Sequence, residues 1–420
     1  MITARAFAGK HYAIYGLARS GLATAEALLA SGARVTAWDA KEEARAKAPA
    51  GTDLANLDEA DLSQFDSLVV TPGLPLNRHR IANRAREAGV EIIGDIELFA
   101  RARPELPPHK VVGITGTNGK STTTALIHHI LKTAGVPTTM GGNIGLPILS
   151  QDPLPEGGVY VLELSSYQID LTQSLDCDVA VLLNITPDHL DRYENFEAYA
   201  ASKLRLLEMQ SGRSLNFIGR SVLDNFDIKF GTNPIETVET ERQKGWPSLA
   251  GPHNAQNAAA AIAVCIDLNA YPDQIERGLE TYPGLPHRME RIREKNGVLF
   301  VNDSKATNPT ATAPALAAFD RIRWICGGQA KTDNLDECAP HFDHVRKAYT
   351  IGEAGELFAT LLSPHMAVAE CETLERAVGE AAAEAEPGDT VLLSPACASF
   401  DQFRDFEQRG DKFRELVGAL

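Results

Sequence analysis

Strand-like apolar runs recur along the chain, among them YAIY, RVTAW, SLVV, KVVGIT, VYVLEL, VAVLLNI, GVLFVND, RWICGG and DTVLLS, and Ala-rich helical stretches separate them. Short apolar runs bounded by turn residues suit strands, while apolar positions three and four apart suit helices. Their alternation predicts an α/β fold. No internal repeat or low-complexity tract interrupts it, apart from an Ala/Glu-rich helix near 376–386.

Two breaks divide the pattern. RARPELPPHK (101–110) sets three prolines ahead of a fresh strand, and TYPGLPHRMERI (281–292) is rich in Pro and Gly. Such clusters punctuate ordered elements. A chain of 420 residues is also too long for one ordinary core. The expectation is three domains, at 1–94, 95–284 and 285–420.

The first opens with HYAIYGLARSGLATAEALLASGARVTAWDA, which reads as strand, glycine turn, helix, strand. Gly16, Ala18 and Gly21 occupy the places of a G-x-G-x-x-G dinucleotide fingerprint, and Asp39 ends the second strand where a ribose partner belongs. Ala18 is a misfit, because the middle glycine lets the backbone approach a pyrophosphate closely. NAD is thereby disfavoured; another nucleotide at the helix N-terminus stays open, as does a merely structural turn. TPGLPLN (71–77) follows a later strand and could complete the same cleft.

In the second, KVVGITGTNGKSTTTALIHHIL predicts a buried strand, a glycine-rich turn and a helix. That is the context of a phosphate-binding loop. Backbone N–H groups of residues Gly116, Thr117, Asn118 and Gly119 would face the phosphates, Lys120 would reach the β and γ positions, and Ser121 or Thr122 would offer a hydroxyl to Mg²⁺. Ile114 stands where the general pattern has its first glycine, so the expected bend is about Gly113 and Gly116. ATP is the predicted ligand.

Glu163 ends the strand of YVLELSSYQID, where ligands of parallel sheets collect, and VAVLLNITPDHLDRYENFEAYAASKLRLLE leads from Asn184 to Asp188, His189, Asp191 and Lys203. Mg²⁺ prefers carboxylate, hydroxyl and water oxygens, so an acid at a strand tip facing a phosphate loop fits it. Taken singly, Glu163 reads equally as a surface acid, His189 as a cap or packing residue, and Lys203 as part of a solvated helix face.

The net charge of −16 excludes a general nucleic-acid or membrane-surface binder, which needs basic faces. No apolar run approaches the length needed to cross a bilayer, and the N-terminus lacks a signal-peptide cleavage site, so a cytoplasmic location is expected. The six cysteines contain no CxxC pair and predict buried, reduced thiols.

The ordered set TGTNGKST, GGNIG (141–145), ELSSYQ, NITPDHLDRY, ASKLR, GPHNAQN, GLPHRME, NDSKATN and SPACASFDQFRDFEQRG resembles the Mur ligase family from about residue 9 to the C-terminus. ELSSYQ, NDSKATN and the SPACASFDQF ending are similar to its D-glutamate-adding branch, and the DNPR-type box of the lysine and diaminopimelate adders is absent. The resemblance implies a Rossmann-like UDP-binding domain, a central P-loop ATPase-like domain and a C-terminal Rossmann-like domain. It further implies a monomeric ATP-dependent amide ligase that adds D-glutamate to UDP-N-acetylmuramoyl-L-alanine through an acyl phosphate, in peptidoglycan synthesis.

The same resemblance implies roles for single residues. Gly16, Ser20, Gly21, Asp39, Thr71, Pro72 and Gly73 would hold the UDP part, with Asn143 near the reaction centre. Lys120 would bind ATP phosphates, and Ser121, Glu163, His189 and a carbamylated Lys203 would serve two Mg²⁺ ions. Asn257 would meet the adenine, and Arg288 and Asp303 the nucleotide. Lys305, Thr307, Lys331, Ser399 and the backbone around Phe406 would take the amino acid. Groups on separate domains imply closure before chemistry. The chain departs from the family pattern at 209–250, which is short, and in AGPHN and GGQAK; the first leaves peripheral strands of the central domain open. The competing readings are a ligase adding L-glutamate or another amino acid and, from another class, an NAD-dependent oxidoreductase, which would leave the phosphate loop unused.

Overall fold

The computed structural model describes residues 1–189, 191–228, 231–239 and 241–420. Three sheets organise them. The first holds β1 (His11–Tyr15), β2 (Arg34–Trp38), β3 (Asp53–Leu54), β4 (Ser67–Val70) and β5 (Glu91–Ile93), in the order β3-β2-β1-β4-β5. All its pairings are parallel.

The second sheet holds β6 (His109–Thr115), β7 (Thr138–Gly142), β8 (Gly158–Glu163), β9 (Val179–Leu182), β10 (Leu215–Gly219) and β11 (Asn233–Ile235), in the order β11-β10-β9-β6-β8-β7, again all parallel. β10 and β11 come from the 209–250 stretch left open by the sequence. β1, β4, β8 and β9 read as continuous apolar runs because both of their faces are covered.

The third sheet holds β12 (Glu290–Lys295), β13 (Val298–Asn302), β14 (Ile322–Gly327), β15 (Val345–Ile351), β16 (Ala367–Glu372) and β17 (Thr390–Leu393), in the order β12-β13-β17-β14-β15-β16. Only β12 and β13 are antiparallel. Asn296 and Gly297 turn that hairpin with φ of 51° and 74°, the left-handed pair that an Asn-Gly loop supplies.

Contacts divide the chain into two compact units, 1–236 with 256–278, and 237–255 with 279–420. In the first unit one apolar core runs from Tyr12 and Val35 through Phe99 to Tyr160 and Leu182. Phe99 lies on the helix Asp95–Ala102, and its ring meets that of Tyr160 edge to face at 5.1 Å. Burying each such side chain contributes about 1.5–3 kcal/mol, so the helix is a structural joint more than a loose linker. Buried Glu97 strengthens it, accepting from the amides of Gln173 at 2.7 Å and Ser174 at 2.9 Å and from Arg101 at 2.9 Å. In the second unit, separate apolar clusters centred on Trp324 and on Phe413 cover the two faces of the third sheet. All six cysteines are free and buried.

Candidate active site

β6 ends at Thr115 and the helix Lys120–Thr133 starts after four intervening residues. The turn between them bends at Gly116 (φ 152°) and Gly119 (φ 83°), conformations open chiefly to glycine. Gly113, expected to share the bend, does not. It lies inside β6, paired with Leu162 and Ala180, where a Cβ would stand 2.8 Å from the Cys177 sulfur. Its smallness serves packing, and buried Ile114 belongs to the strand as well.

Gly119 caps the helix with no side chain, so the helix N-terminus presents its positive end to an incoming anion. Asn184 braces the loop: its carbonyl accepts from the Thr117 amide and its side chain from the Asn118 amide, each at 2.9 Å. Lys120 Nζ curls over the loop and donates to the carbonyls of Gly116 and Thr117, both at 2.8 Å. Ser121 is buried and Thr122 half-buried in the first helical turn. Asn257 closes the far side; its Oδ1 accepts from Thr123 at 3.3 Å.

Register brings Glu163 to the same edge, opposite Ile114 on the neighbouring strand. It is 2% exposed, its Oε1 accepts from Asn143 at 2.9 Å, and its Oε2 is buried with no hydrogen-bond partner. An unsatisfied buried carboxylate oxygen is costly, and a cation relieves it. Among the described residues no group of three or more His, Cys, Asp or Glu side chains could hold a metal. The partnerless Glu163 oxygen beside a phosphate loop fits Mg²⁺, which is typically bound by one or two carboxylates together with phosphate and water oxygens.

Lys203 overturns its single-residue reading as a solvated helix position, being only 2% exposed. The helix Phe196–Glu208 turns it inward, where Nζ donates to the Gly116 carbonyl at 2.8 Å and lies 4.8 Å from the centre of the Tyr199 ring. Burial first, and the Lys120 charge second, hold its amine well below the usual lysine range. His189 has φ of 54°, and its Nε2 lies 3.6 Å from Asp188. Burial lowers its pKa, with the neighbouring Asp188 opposing and Lys203 and Lys120 assisting.

At the mouth of the first sheet, Gly16 (φ 101°) donates its amide to the Trp38 carbonyl at 2.8 Å. A Cβ on Gly21 would stand 1.9 Å from the Gly16 carbonyl oxygen, and one on Gly16 would stand 2.4 Å from Thr71 Oγ1. These three residues thus pack as one wall. Ala18 caps the helix Arg19–Ala30 with extended backbone and no side-chain bond, while half-buried Ser20 lies in its first turn. Asp39 is engaged by its own chain, accepting from the amides of Leu17 at 2.8 Å and Lys41 at 2.9 Å. Pro72 and Gly73 form the next turn, closed by the Leu74 amide on the Thr71 carbonyl at 3.0 Å.

In the second unit, Asp303 follows β13, buried, and accepts from Ser394 Oγ at 2.7 Å and the Met289 amide at 3.1 Å. Burial pushes its acid up to about 7, against the pull of these hydrogen bonds and of Arg288. Lys305 Nζ lies 3.8 Å from the centre of the Phe406 ring. Gln329 and Ala398 exchange two backbone bonds of 2.9 Å, which brings the loop of exposed Lys331 beside buried Ser399. Thr307 is half-buried ahead of the helix Pro309–Leu316. Arg409, missed in the sequence, is buried and donates to Ser304 Oγ and to the carbonyls of Ser304, Cys397 and Ala398 at 2.9–3.2 Å, tying the segments that carry Lys305 and Ser399. Its signal was an arginine directly before a glycine in a helix.

Within the first unit the fold thus gathers Gly116, Thr117, Asn118, Gly119, Lys120, Ser121, Asn143, Glu163, Lys203 and Asn257 around one strand edge, with His189 beside them. Three family descriptions match the chain: the MurD-like N-terminal domain at 10–94, the Mur ligase middle domain at 114–244, and the glutamate ligase domain of Mur ligases at 287–397. A UDP-N-acetylmuramoylalanine--D-glutamate ligase of Novosphingobium aromaticivorans is 60% identical, covering 100% of this chain and 97% of its own. Its counterpart from Sphingopyxis alaskensis is 58% identical, covering 100% of both. Among solved structures, the MurF ligase of Thermotoga maritima in complex with ADP shares the fold with a TM-score of 0.59 at 16% identity, over 98% of this chain and 96% of that one. The UDP-N-acetylmuramate-alanine ligase of the same organism does so with 0.58 at 18%, over 98% and 99%. With three matching domains and relatives this similar along its whole length, the chain belongs to the Mur ligase family.

Proposed function

We propose that this protein is a cytoplasmic, monomeric ATP-dependent ligase that joins D-glutamate to UDP-N-acetylmuramoyl-L-alanine in peptidoglycan precursor synthesis. The observation that carries the chemistry is the convergence of Lys120 and Lys203 on the Gly116 carbonyl, beside a carboxylate oxygen of Glu163 that lacks a partner. The amino acid is assigned from the relatives' names. Domain limits of 1–94, 95–284 and 285–420 accompany the proposal.

The γ-phosphoryl group of ATP moves to a carboxylate oxygen of the alanyl end, giving ADP and an acyl phosphate. The amine of D-glutamate then attacks the acyl carbon; the C–N bond forms, the C–O bond to phosphate breaks, and the amine proton leaves to His189 or to the departing phosphate. Lys120 holds the β and γ phosphates and neutralises charge on the oxygens in flight, the main task in phosphoryl transfer. Mg²⁺, held by Glu163 and Ser121 with His189 close by, would supply further charge neutralisation.

Lys203, whose amine gives up its proton more readily than an ordinary lysine, is suited to capture CO₂ as a carbamate, since the free amine is the nucleophile. The resulting anion assists a cation that an ammonium would repel. Gly16, Ser20, Gly21, Asp39, Thr71, Pro72 and Gly73 are assigned to the UDP group, Asn257, Arg288 and Asp303 to the nucleotide, and Lys305, Thr307, Lys331, Ser399 and the Phe406 backbone to the amino acid. Two lysines suit a substrate with two carboxylates.

Phosphate release from ATP with UDP-N-acetylmuramoyl-L-alanine, compared across D-glutamate, L-glutamate and other amino acids, tests the proposal. Release with D-glutamate supports it. Release with L-glutamate alone refutes the assigned stereochemistry, and no release with any amino acid ends the ligase reading.

A further inference from the structure

Two arginines clasp the turn after β4 to the turn that carries His189. Arg192 donates to the carbonyls of Gly73 at 3.2 Å and Leu74 at 2.8 Å, and Arg78 donates back to the Asp191 carbonyl at 2.7 Å. The Arg192 guanidinium also lies 4.2 Å from the centre of the Tyr167 ring. That ring stands 5.0 Å from the His189 imidazole. The left-handed backbone of His189 is held from the same residue, since its carbonyl accepts from the Arg192 amide at 2.9 Å and the Tyr193 amide at 3.3 Å. One side chain therefore backs the ring of His189, through Tyr167, while its own amide fixes the carbonyl.

Packing does not replace these bonds. A cavity of about 530 Å³ opens beside the clasp, lined by Leu74, Leu76, Ile92, Tyr167 and Arg192 among others. Across such a gap the two turns are tied directly by the arginine bonds and by a longer one, from the Asn77 side-chain amide to the Asp191 carbonyl at 3.4 Å. A guanidinium suits the task because its planar fork reaches two adjacent carbonyls while its face stacks on a ring, which an ammonium cannot do.

We propose that Arg192, assisted by Arg78, is a positioning residue for the ligation. It couples the turn of residues 71–73, assigned to the UDP-sugar, to the placement of His189 at the reacting carboxyl. The proposal rests on the function given above. Its test compares wild type, Arg192→Ala, Arg192→Lys and Arg78→Ala by steady-state kinetics, ADP affinity and amide hydrogen exchange.

In Arg192→Ala, kcat per folded molecule should fall about 10-fold or more, as expected for a misplaced catalytic group. ADP affinity should hold, and exchange at Arg192 and Tyr193 should quicken. Arg192→Lys should recover only part of the rate, and Arg78→Ala should lose less than Arg192→Ala. A kcat for Arg192→Ala within about 2-fold of wild type overturns the proposal, as does unchanged exchange at those amides. A wild type that turns over no substrate refutes the functional reading instead, while exchange still reports on the clasp.

Discussion

Lys120 and Lys203 place their amines at the same distance, 2.8 Å, from one acceptor, the carbonyl oxygen of Gly116. Two ammonium groups so disposed repel each other in a poorly solvated pocket, and burial together with the Lys120 charge shifts the Lys203 amine toward its neutral form. Lys203→Ala should therefore remove more than a charge. Activity should drop by about 100-fold or more, and added acetate should restore part of it by standing in for the carbamate. Steady-state rates with and without acetate check this; full activity without acetate would remove the carbamate role.

The phosphate loop has little room to change. A Cβ on Gly119 would lie 2.2 Å from Asn257 Oδ1, on a residue already at φ of 83°. Gly119→Ala should weaken ATP binding at least about 10-fold, because strain in the loop and a displaced Asn257 act together. Calorimetric titration of nucleotide into the variant measures the change.

Asp303 should leave a signature in the pH dependence of stability. Its acid is raised from an ordinary 3.8 to about 7 in the folded chain. Between those values the folded protein holds a proton that the unfolded chain has released, so stability falls as pH rises through the window. Asp303→Asn should flatten that part of the profile, a component of up to about 4 kcal/mol at roughly 1.4 kcal/mol per unit. Urea unfolding of both proteins between pH 4 and pH 8 provides the comparison.

Lys305, close over the Phe406 ring, is assigned to a carboxylate of the amino acid. A hydrogen bond to a charged group is worth about 1.5–3 kcal/mol, so Lys305→Ala should raise KM for D-glutamate roughly 10- to 100-fold while leaving KM for ATP near wild type. An equal rise in both would contradict the assignment.

Much of this site was legible in the sequence because its signals are local. Gly116, Gly119, Lys120 and Ser121 lie within one turn, and the strand before them and the helix after them follow from apolar spacing alone. The buried state of Lys203 was not legible, since an isolated lysine on a helix looks solvated until tertiary packing covers it. Gly113 misled for a related reason: a glycine near a turn suggests a hinge, and only side chains that the fold brings up to it, Cys177 nearest and then Leu164 and Leu206, mark it as a packing position. The Arg192 contacts left no trace, because their partners are backbone carbonyls about 120 positions away that any residue could supply. Asp39 was read as a ligand for a ribose, yet both its oxygens also hold backbone amides of neighbouring turns.

The claim on which the account turns is that the alanyl carboxylate is activated by taking the γ-phosphoryl group of ATP. The most direct measurement follows ¹⁸O from the carboxylate of UDP-N-acetylmuramoyl-L-alanine into the released phosphate by mass spectrometry. The account predicts ADP and inorganic phosphate carrying one ¹⁸O for each amide formed. Unlabelled phosphate, or label appearing in AMP with release of pyrophosphate, would contradict it.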